Sequence, residues 1–397
     1  MKRKILIISV GFVGVVLITI GISFGIKSYK IKHAKVDIVL KDNLELDVYD
    51  DTKRVSYFIN SINGKIVDDY IINSKKVGKK KVEFTYINND GIKVDSSFVI
   101  NVVDTVAPII WVSGSYSLAV NSKRELKDMI LCGDNYDKRP SCDILGDYDV
   151  GQVGKYPLKY KAVDQSGNIS EENFILNVYD PDDIEEKKQE KIYFTDVVTN
   201  YRNENTKVGI DISKWQGDVD FSKLKTAGVD FVIIRVGTKN KDNQYVLDEK
   251  FKRNISNLNK LNIPVGVYFY SYASSNKEAV EDARWVLKQI KGYKVDLDVA
   301  FDWEDWSNFN SYKLSFHDLN EISNSFMKEI KKAGYSTMLY SSKNYLERIW
   351  DKKEDNIWLA HYTNKTNYKG KYKYWQLCEN GKVNGIDNFV DIDIMYK

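Results

Sequence analysis

The sequence is poor in the residues that would define a metalloprotein or a nucleic-acid-binding protein. Its 397 residues include three cysteines, three histidines and five prolines. His33, His317 and His361 are widely separated, and no Cys/His pattern has metal-ligand spacing, so neither a metal nor a cofactor is predicted. The formal net charge is only +3, from 59 basic and 56 acidic residues. That balance provides no overall basic field, so nucleic acid is not predicted as a partner.

The few cysteines leave two readings open. Cys132 and Cys142 lie in one loop-like stretch. They would form a disulfide in an exported chain and remain free thiols in a reducing compartment. Cys378 lies in an apolar run, which favours a buried inert thiol over a nucleophile.

One long hydrophobic run stands at the start of the chain. The basic segment MKRK is followed by an uncharged apolar stretch over residues 5–26. As a helix this stretch would span about 33 Å, enough to cross a bilayer. A cleaved signal peptide is the alternative, but the length and the lack of a small-x-small site favour an uncleaved anchor. We therefore predict a cytoplasmic stub at 1–4, a transmembrane anchor at 5–26 that contacts the lipid bilayer, and an extracellular remainder.

An internal repeat precedes the C-terminal half. Residues 78–104 align without a gap with residues 154–180, and each copy alternates apolar and polar residues on both sides of a glycine. This pattern predicts a β-hairpin in each copy. The segments around them, 36–104 and 105–180, resemble the immunoglobulin-like β-sandwich repeats of bacterial surface proteins, especially at 164–168 and 174–178. Residues 181–206 are predicted to form a charged linker.

From residue 207 to residue 397 short apolar runs alternate with amphipathic stretches. This alternation predicts parallel strands with helices between them, and about eight strands favour a closed barrel over an open sheet. The predicted strands are 208–212, 231–236, 264–270, 299–303, 337–340, 357–361, 374–377 and 390–394. Little helix separates the last strands, so we expect an irregular, TIM-like β/α barrel.

Acidic residues recur at one end of these predicted strands. Asp211 lies on the first strand, Asp302 and Glu304 lie at the end of the fourth, and Asp391 and Asp393 lie near the start of the eighth. Residues i and i+2 of a strand share a face, so Asp302 and Glu304 point the same way. Glycoside hydrolysis needs two such carboxyls, one protonated and one ionised, and crowding keeps one of them protonated. Any surface strand could show a D-x-E pair, but the apolar run VAF directly before it, typical of a buried strand, favours a functional pair, and such a pair would suit a glycosidase.

The same residues fall within motifs of a known family. These motifs are VGIDISKWQG at 208–217, PVGVYFYSYA at 264–273, FDWE at 301–304, IWLAHY at 357–362, YWQ at 374–376, GID at 385–387 and VDID at 390–393. In order and content they resemble glycoside hydrolase family 25, the muramidases of the Chalaropsis type. Two positions depart from that pattern: Phe269 stands where the family commonly has His, and Asp393 where it often has Asn.

The resemblance implies an N-acetylmuramidase that cleaves the β-1,4 bond between N-acetylmuramic acid and N-acetylglucosamine of peptidoglycan. It implies Glu304 as the general acid, with Asp302 assisting, and it places Asp211 and Asp391 at the other acidic positions of the site. Five further side chains are assigned to substrate binding: Trp215, Tyr268, Tyr270, Tyr340 and Gln376. Trp303 is expected to pack, because it points away from its two carboxylate neighbours.

Three other functions stay open at this stage. The first is a non-catalytic surface protein that binds peptidoglycan in the same cleft; the presence of both Asp302 and Glu304 weighs against it. The second is a structural surface protein whose barrel is vestigial. The third is a hydrolase of chitin-like polymers. For the leading interpretation we predict a single-pass protein of the cell membrane whose catalytic domain faces the cell wall and takes part in wall remodelling.

Overall fold

The computed structural model describes residues 36–111, 114–183, 190–240, 242–351 and 356–397. The chain divides into two compact units, which meet at Thr105 and Val106. The first unit contains one β module. The second unit contains another β module together with the whole of the C-terminal barrel.

The described part of the first unit, residues 36–105, contains six strands. They are β1 (Ile38–Leu40), β2 (Glu45–Asp47), β3 (Ile59–Ile62), β4 (Gly64–Ile66), β5 (Gly78–Asn88) and β6 (Lys93–Val103). Four of them form a sheet in the order β2-β6-β5-β4, and β1 pairs with β3. Burial alternates along β5, where Val82, Phe84 and Tyr86 face the core. The apolar–polar alternation of the sequence thus fixes which face of the sheet is buried.

The second β module repeats this arrangement. Its strands are β7 (Ile109–Trp111), β8 (Ser115–Ala119), β9 (Leu131–Gly133), β10 (Ser141–Leu145), β11 (Gly154–Val163) and β12 (Ile169–Tyr179). The four-stranded sheet has the order β10-β11-β12-β8, and β7 pairs with β9. Cys132 of β9 and Cys142 of β10 form a disulfide, which resolves the alternative that the sequence left open.

The two predicted hairpins are confirmed, and they share one register. Gly78 lies opposite Val102 in the first module, and Gly154 lies opposite Val178 in the second. The assignment of both modules to the immunoglobulin-like class stays a prediction.

The barrel contains ten strands. They are β13 (Ile192–Tyr193), β14 (Thr206–Ile212), β15 (Val232–Lys239), β16 (Tyr245–Leu247), β17 (Val265–Tyr270), β18 (Val299–Asp302), β19 (Thr337–Ser342), β20 (Asn356–Ala360), β21 (Tyr374–Lys382) and β22 (Val390–Tyr396). Eight of them close a ring in the order β14-β15-β17-β18-β19-β20-β21-β22. All neighbours from β14 to β21 run parallel, whereas β22 runs antiparallel to both β21 and β14. The ring is therefore a distorted β/α barrel.

Helices cover the outside of the ring. They are α1 (Phe194–Tyr201), α2 (Phe221–Thr226), α3 (Phe251–Lys260), α4 (Asn276–Ile290), α5 (Phe309–Tyr312), α6 (Phe316–Lys332) and α7 (Lys343–Arg348). Side-chain caps begin the two longest: Ser275 accepts from the Glu278 amide, and Ser315 forms a capping box with Asp318. Strand β13 and helix α1 fall within the segment predicted as a linker, and β13 pairs with β21 of the barrel.

Two hydrophobic clusters separate the inside of the barrel from its outside. The inner one includes Phe231, Met338, Tyr340, Trp358 and Tyr374. The outer and larger cluster lies between the strands and the helices, and Leu131 of the second β module belongs to it. The second module is therefore packed onto the barrel through a shared core.

The predicted fold class is wrong in one part. It began with a transmembrane helix over residues 5–26, but among the described residues no helix is both long and apolar enough to cross a membrane. The apolar run itself lies outside the described residues, so its hydropathy alone suggested a helix that no feature of the structure supports. The corrected fold class is two β modules followed by a distorted β/α barrel.

Candidate active site

Strand register brings the predicted acidic residues to one end of the barrel. Asp302 is the last residue of β18, and its neighbours across the sheet are Tyr270 of β17 and Tyr340 of β19. Asp211, near the end of β14, lies opposite Asp391 of β22. Because β22 runs antiparallel, its first residues lie at the same end as the last residues of the parallel strands. The carboxyls of strands far apart in sequence therefore converge at one mouth.

The D-x-E segment separates its three side chains as the period of a strand requires. Trp303 is fully buried in the outer cluster between strands and helices. Asp302 is buried on the opposite face, toward the interior, while Glu304 is exposed at the mouth. The Oδ1 atom of Asp302 is buried and has no hydrogen-bond partner among the described residues. One oxygen of this carboxylate is thus buried and unpaired next to the exposed Glu304.

A chain of hydrogen bonds fixes Asp211. The Nε2 of Gln376 donates to Oδ2 of Asp211 at 2.8 Å. The Oε1 of the same amide accepts from the hydroxyls of Tyr340 at 2.8 Å and Tyr362 at 3.2 Å. In this arrangement the amide oxygen faces the two hydroxyls and the amide nitrogen faces Asp211. Gln376 is therefore a bridge from the tyrosines to the carboxyl cluster.

Asp393 is the most deeply buried member of the cluster. It is fully inaccessible, and the indole nitrogen of Trp358 donates to its Oδ1 at 2.7 Å. Burial and then the charge of Asp393 raise the pKa of Asp211, so the two carboxyls lie close together, while Oδ2 of Asp393 has no hydrogen-bond partner among the described residues. Sequence reasoning placed Asp393 on the eighth strand with Asp391 but did not assign it to the site, because its partners come from distant strands.

Burial raises the pKa of every carboxyl in the cluster, and repulsion between the carboxylates adds to the rise at all of them except Glu304. Glu304 lies at the mouth, where neighbouring side chains remove part of its hydration, and this loss raises its pKa to about 7. Burial, then the charges of Glu304 and Asp211, raise the pKa of Asp302 well above its ordinary value. Burial is also the largest cause at Asp391, whose pKa rises to about 9, and at Asp393, whose pKa rises to about 8. The cluster thus holds protons at neutral pH.

One cation near this cluster was not singled out from the sequence. Arg235 of β15 forms an ion pair with Asp248, with its Nη2 at 2.8 Å and its Nε at 2.9 Å from the same carboxylate oxygen. Its charge favours the ionised form of Asp302 and so opposes the rise in that pKa. An arginine inside the apolar run VIIRVG was the available signal, since a buried charge needs a partner.

The residues assigned to substrate lie in different surroundings. Tyr268 is inside the barrel, with its ring 5.9 Å from that of Trp358. Tyr340 is buried beneath the mouth, and Tyr270 is half-buried beside Asp302. Trp215 is 69% exposed on the turn after β14. The structure therefore places Trp215 at the surface, apart from the buried tyrosines.

A pocket of about 260 Å³ opens beside the general-acid candidate. Its lining includes Glu304, Tyr340, Lys343, His361 and Tyr362. Within the described part of the barrel, no group of His, Cys, Asp or Glu side chains lies close enough together to hold a metal ion. The site as it stands offers carboxyl groups, tyrosine hydroxyls and one amide.

Phe269 does not face this pocket. Its ring is fully buried and lies 5.6 Å from that of Trp285 on helix α4. The departure from the family pattern at this position therefore lies on the outer face of β17.

A closed β/α barrel with a cluster of protonated carboxyls at the carboxyl end of its strands is the architecture of a barrel enzyme. Comparison with protein families makes the assignment more specific. Residues 210–386 match the model of glycosyl hydrolases family 25. This segment is therefore a family 25 domain, as the motifs predicted.

Curated relatives agree with that assignment. The autolytic lysozyme of Clostridium acetobutylicum is 26% identical over 188 residues, 47% of this chain and 54% of the relative. Lysozyme M1 of Streptomyces globisporus is 25% identical over 199 residues, 46% of this chain and 65% of the relative. The chain thus spans just over half the length of the first of these relatives. The family match and the two lysozymes confirm the prediction of a glycoside hydrolase domain.

Solved structures of similar proteins include the modular autolysin LytC of Streptococcus pneumoniae in complex with a synthetic peptidoglycan ligand. It is 28% identical, with a TM-score of 0.44, and the match covers 60% of this chain and 56% of that one. A family 25 glycosyl hydrolase from Bacillus anthracis is 21% identical, with a TM-score of 0.43, and the match covers 50% of this chain and 92% of that one.

Proposed function

We propose that this protein is a muramidase that hydrolyses the β-1,4 bond between N-acetylmuramic acid and N-acetylglucosamine in peptidoglycan. The observation that carries the proposal is the pair Asp302 and Glu304. One carboxyl is exposed at the mouth with its pKa raised to about 7, and the other is buried beside it with a free oxygen. A glycosidase requires two neighbouring carboxyls, of which one is protonated and the other ionised when the substrate is bound.

Glu304 is proposed to protonate the bridging oxygen as the bond from that oxygen to the anomeric carbon breaks. The acetamido oxygen of the muramic acid would close onto the same carbon, and Asp302 would accept a hydrogen bond from the acetamido N–H. Glu304, now ionised, would then take a proton from the water that adds to the anomeric carbon, and the bond from the acetamido oxygen to that carbon would break to restore the acetamide. A hydrogen bond from the substrate favours the ionised form of Asp302. Substrate binding would therefore leave Asp302 ionised and Glu304 protonated.

Asp211 and Asp391 are proposed to support this pair by their charge and hydrogen bonds. Asp211 is held by Gln376 and lies close enough to raise the pKa of Asp302. Asp391 lies opposite Asp211 in the sheet. These two residues would maintain the proton-rich state of the cluster, and neither would break a bond itself.

We also propose that the enzyme works outside the cytoplasm, on the cell wall, where it remodels peptidoglycan. The disulfide between Cys132 and Cys142 supports this location, since disulfides persist in oxidising compartments.

The experiment that tests the function is product analysis with the purified full-length chain. Digests of peptidoglycan are reduced with borohydride, and the sugar at the new reducing end is identified by mass spectrometry. Reduced muramic acid is expected; reduced glucosamine would indicate cleavage of the other glycosidic bond, and release of products from chitin alone would favour the chitin-like alternative.

The matched variants are Glu304→Gln and Glu281→Gln. Glu281 lies on helix α4, where it pairs with Lys277 at 3.8 Å, so its replacement makes the same chemical change away from the cluster. We expect the first variant to lose hydrolysis and the second to retain it. Unchanged hydrolysis by Glu304→Gln would show that another group is the acid.

A further inference from the structure

A second cavity lies between the second β module and the barrel. Its volume is about 430 Å³. The module lines it with Trp111, Arg124 and Lys127, and the barrel lines it with residues that include Trp306 and Tyr345. The matched family segment begins at residue 210, so half of this cavity comes from a part of the chain outside that segment.

This cavity adjoins the pocket at Glu304. Two short segments line both spaces. In the first, Glu304 lines the pocket and Trp306 lines the cavity. In the second, Asn344 lines the pocket and Tyr345 lines the cavity. The rings of Trp306 and Tyr345 stack with centroids 4.0 Å apart, so the two segments are in contact. A ligand that fills the pocket therefore has the cavity as its immediate neighbour.

The β module is fixed against the barrel by specific contacts. The amide of Phe316 donates to the carbonyl of Asp134 at 2.7 Å, and Lys138 pairs with Asp318 at 2.8 Å. At Gly133 an added Cβ would lie 2.5 Å from the ring of Phe316, so the glycine permits a close approach of the two surfaces. The cavity is therefore part of one compact unit and not a gap between loosely tethered domains.

The aromatic rings in the cavity are already covered. Tyr345 lies between Trp306 and Trp111, whose ring centroids are 4.0 and 4.8 Å away. The guanidinium group of Arg348 covers Trp111 at 5.1 Å from its centroid. Sugar rings bind proteins by stacking on open aromatic faces, so these rings offer little to a further sugar of the glycan strand.

Charged and polar groups remain for a ligand. Arg124 and Lys127 are exposed, and neither forms an ion pair within the described part of the chain. Asp128 lines the same cavity, so the three ionisable groups carry two positive charges and one negative charge, a net charge of +1. Asn308 and Ser311 add an amide and a hydroxyl from the barrel. Such a set suits a peptide that bears a carboxylate.

We propose that this cavity binds the carboxylate-bearing peptide stem attached to the muramic acid of a glycan strand in the pocket at Glu304. Arg124 and Lys127 hold the stem carboxylates, and Asn308 and Ser311 contact its amide backbone. This inference rests on the proposed muramidase function. It makes the second β module part of the substrate site and gives the enzyme a preference for strands whose stems are intact.

The test compares two substrates with the full-length protein. One is un-crosslinked peptidoglycan strands with intact stems, and the other is the same strands after an amidase has removed the stems. We expect the double variant Arg124→Ala/Lys127→Ala to lose about tenfold or more in kcat/KM on intact strands, mainly through KM, because each charge-assisted contact is worth roughly a factor of ten. On stripped strands it should match the wild type within about twofold.

Lys123→Ala is the matched control, because Lys123 is exposed on the same loop but does not line the cavity. It should behave as the wild type on both substrates. Arg124→Glu, which reverses one charge, should lose more than Arg124→Ala on intact strands only.

The outcomes separate this inference from the function on which it rests. If the wild type does not prefer intact strands, or if kcat/KM of the double variant falls equally on both substrates, the cavity does not bind the peptide stem. If the wild type hydrolyses neither substrate, the muramidase proposal itself fails.

Discussion

Replacing Asp393 by Asn should stabilise the protein, and more so at high pH. Asp393 is fully buried, and burial together with the charge of Asp391 raises its pKa to about 8 from an ordinary value of 3.8. The folded state therefore keeps a proton that the unfolded chain releases above about pH 4. The protonated Asp393 carboxyl therefore contributes fully to the free energy of unfolding below about pH 4, and this contribution is lost as the pH rises toward about 8.

The size of the stability change follows from the pKa shift of Asp393. The difference between about 8 and 3.8 is about four pKa units, and one unit corresponds to about 1.4 kcal/mol. The ceiling is therefore about 6 kcal/mol over the whole range, and about 4 kcal/mol between pH 5 and pH 8. Asp391 and Asp211 share the charge of the cluster, so we expect about half of that ceiling, about 2 kcal/mol between the two pH values.

The indole of Trp358 donates to Oδ1 of Asp393 at 2.7 Å. Asn at position 393 would keep an oxygen to accept this hydrogen bond, but its side chain cannot ionise. Urea unfolding of the wild type and of Asp393→Asn, followed by tryptophan fluorescence at pH 5 and pH 8, measures the difference. The control is Asp387→Asn, since Asp387 is exposed at the same end of the barrel. If Asp393→Asn gains no more stability at pH 8 than at pH 5, the carboxyl is not held protonated by burial and the reasoning is refuted.

Three further predictions concern the site and the second β module. Because Glu304 donates its proton and its pKa is about 7, kcat/KM should fall as pH rises through about 7, and a flat profile from pH 6 to 9 would contradict this. Gln376→Leu removes the donor to Asp211 and should lower kcat about tenfold to a hundredfold with the fold retained by circular dichroism; unchanged kcat would show that the bridge is dispensable. Cys132→Ser breaks the bond to Cys142 and should cost about 3 kcal/mol by the loop-entropy relation, seen as a lower urea midpoint than that of Cys378→Ser measured in parallel.

The barrel and the acid pair could be predicted because both follow from local periodicity. Apolar runs separated by amphipathic stretches located all eight strands of the ring. The two-residue period of a strand then separated Trp303 from Asp302 and Glu304, and the structure places Trp303 in the outer cluster as expected. Inferences of this kind need only a few consecutive residues and the knowledge that parallel strands end at one side.

The partners of the acids could not be predicted in the same way. The bond from Trp358 to Asp393 joins residues 35 positions apart, and that from Gln376 to Asp211 spans 165 positions. The pairing of Arg235 with Asp248 depends on a turn through β16 that the sequence pattern did not reveal. Such contacts depend on register across the closed ring, which no single strand encodes.

The packing of helix α1 and of the second β module against the barrel could not be predicted from the sequence either. Helix α1 lies in a charged segment that has the composition of a linker, yet Phe194 and Val197 are buried against the barrel. Trp111 has no recognisable motif, and its role became visible only where its ring meets that of Tyr345. Local composition reports the average polarity of a segment, whereas docking is decided by one or two apolar side chains.

The most direct measurement of the central claim compares Glu304→Gln with the wild type on two leaving groups. One substrate is the natural glycan, whose departing sugar oxygen needs a proton; the other is an aryl glycoside whose phenolate departs without one. We expect a loss of roughly a hundredfold to ten-thousandfold on the glycan and less than about tenfold on the aryl glycoside. Equal losses on both substrates would contradict the account, because Glu304 would then act by some means other than protonating the leaving oxygen.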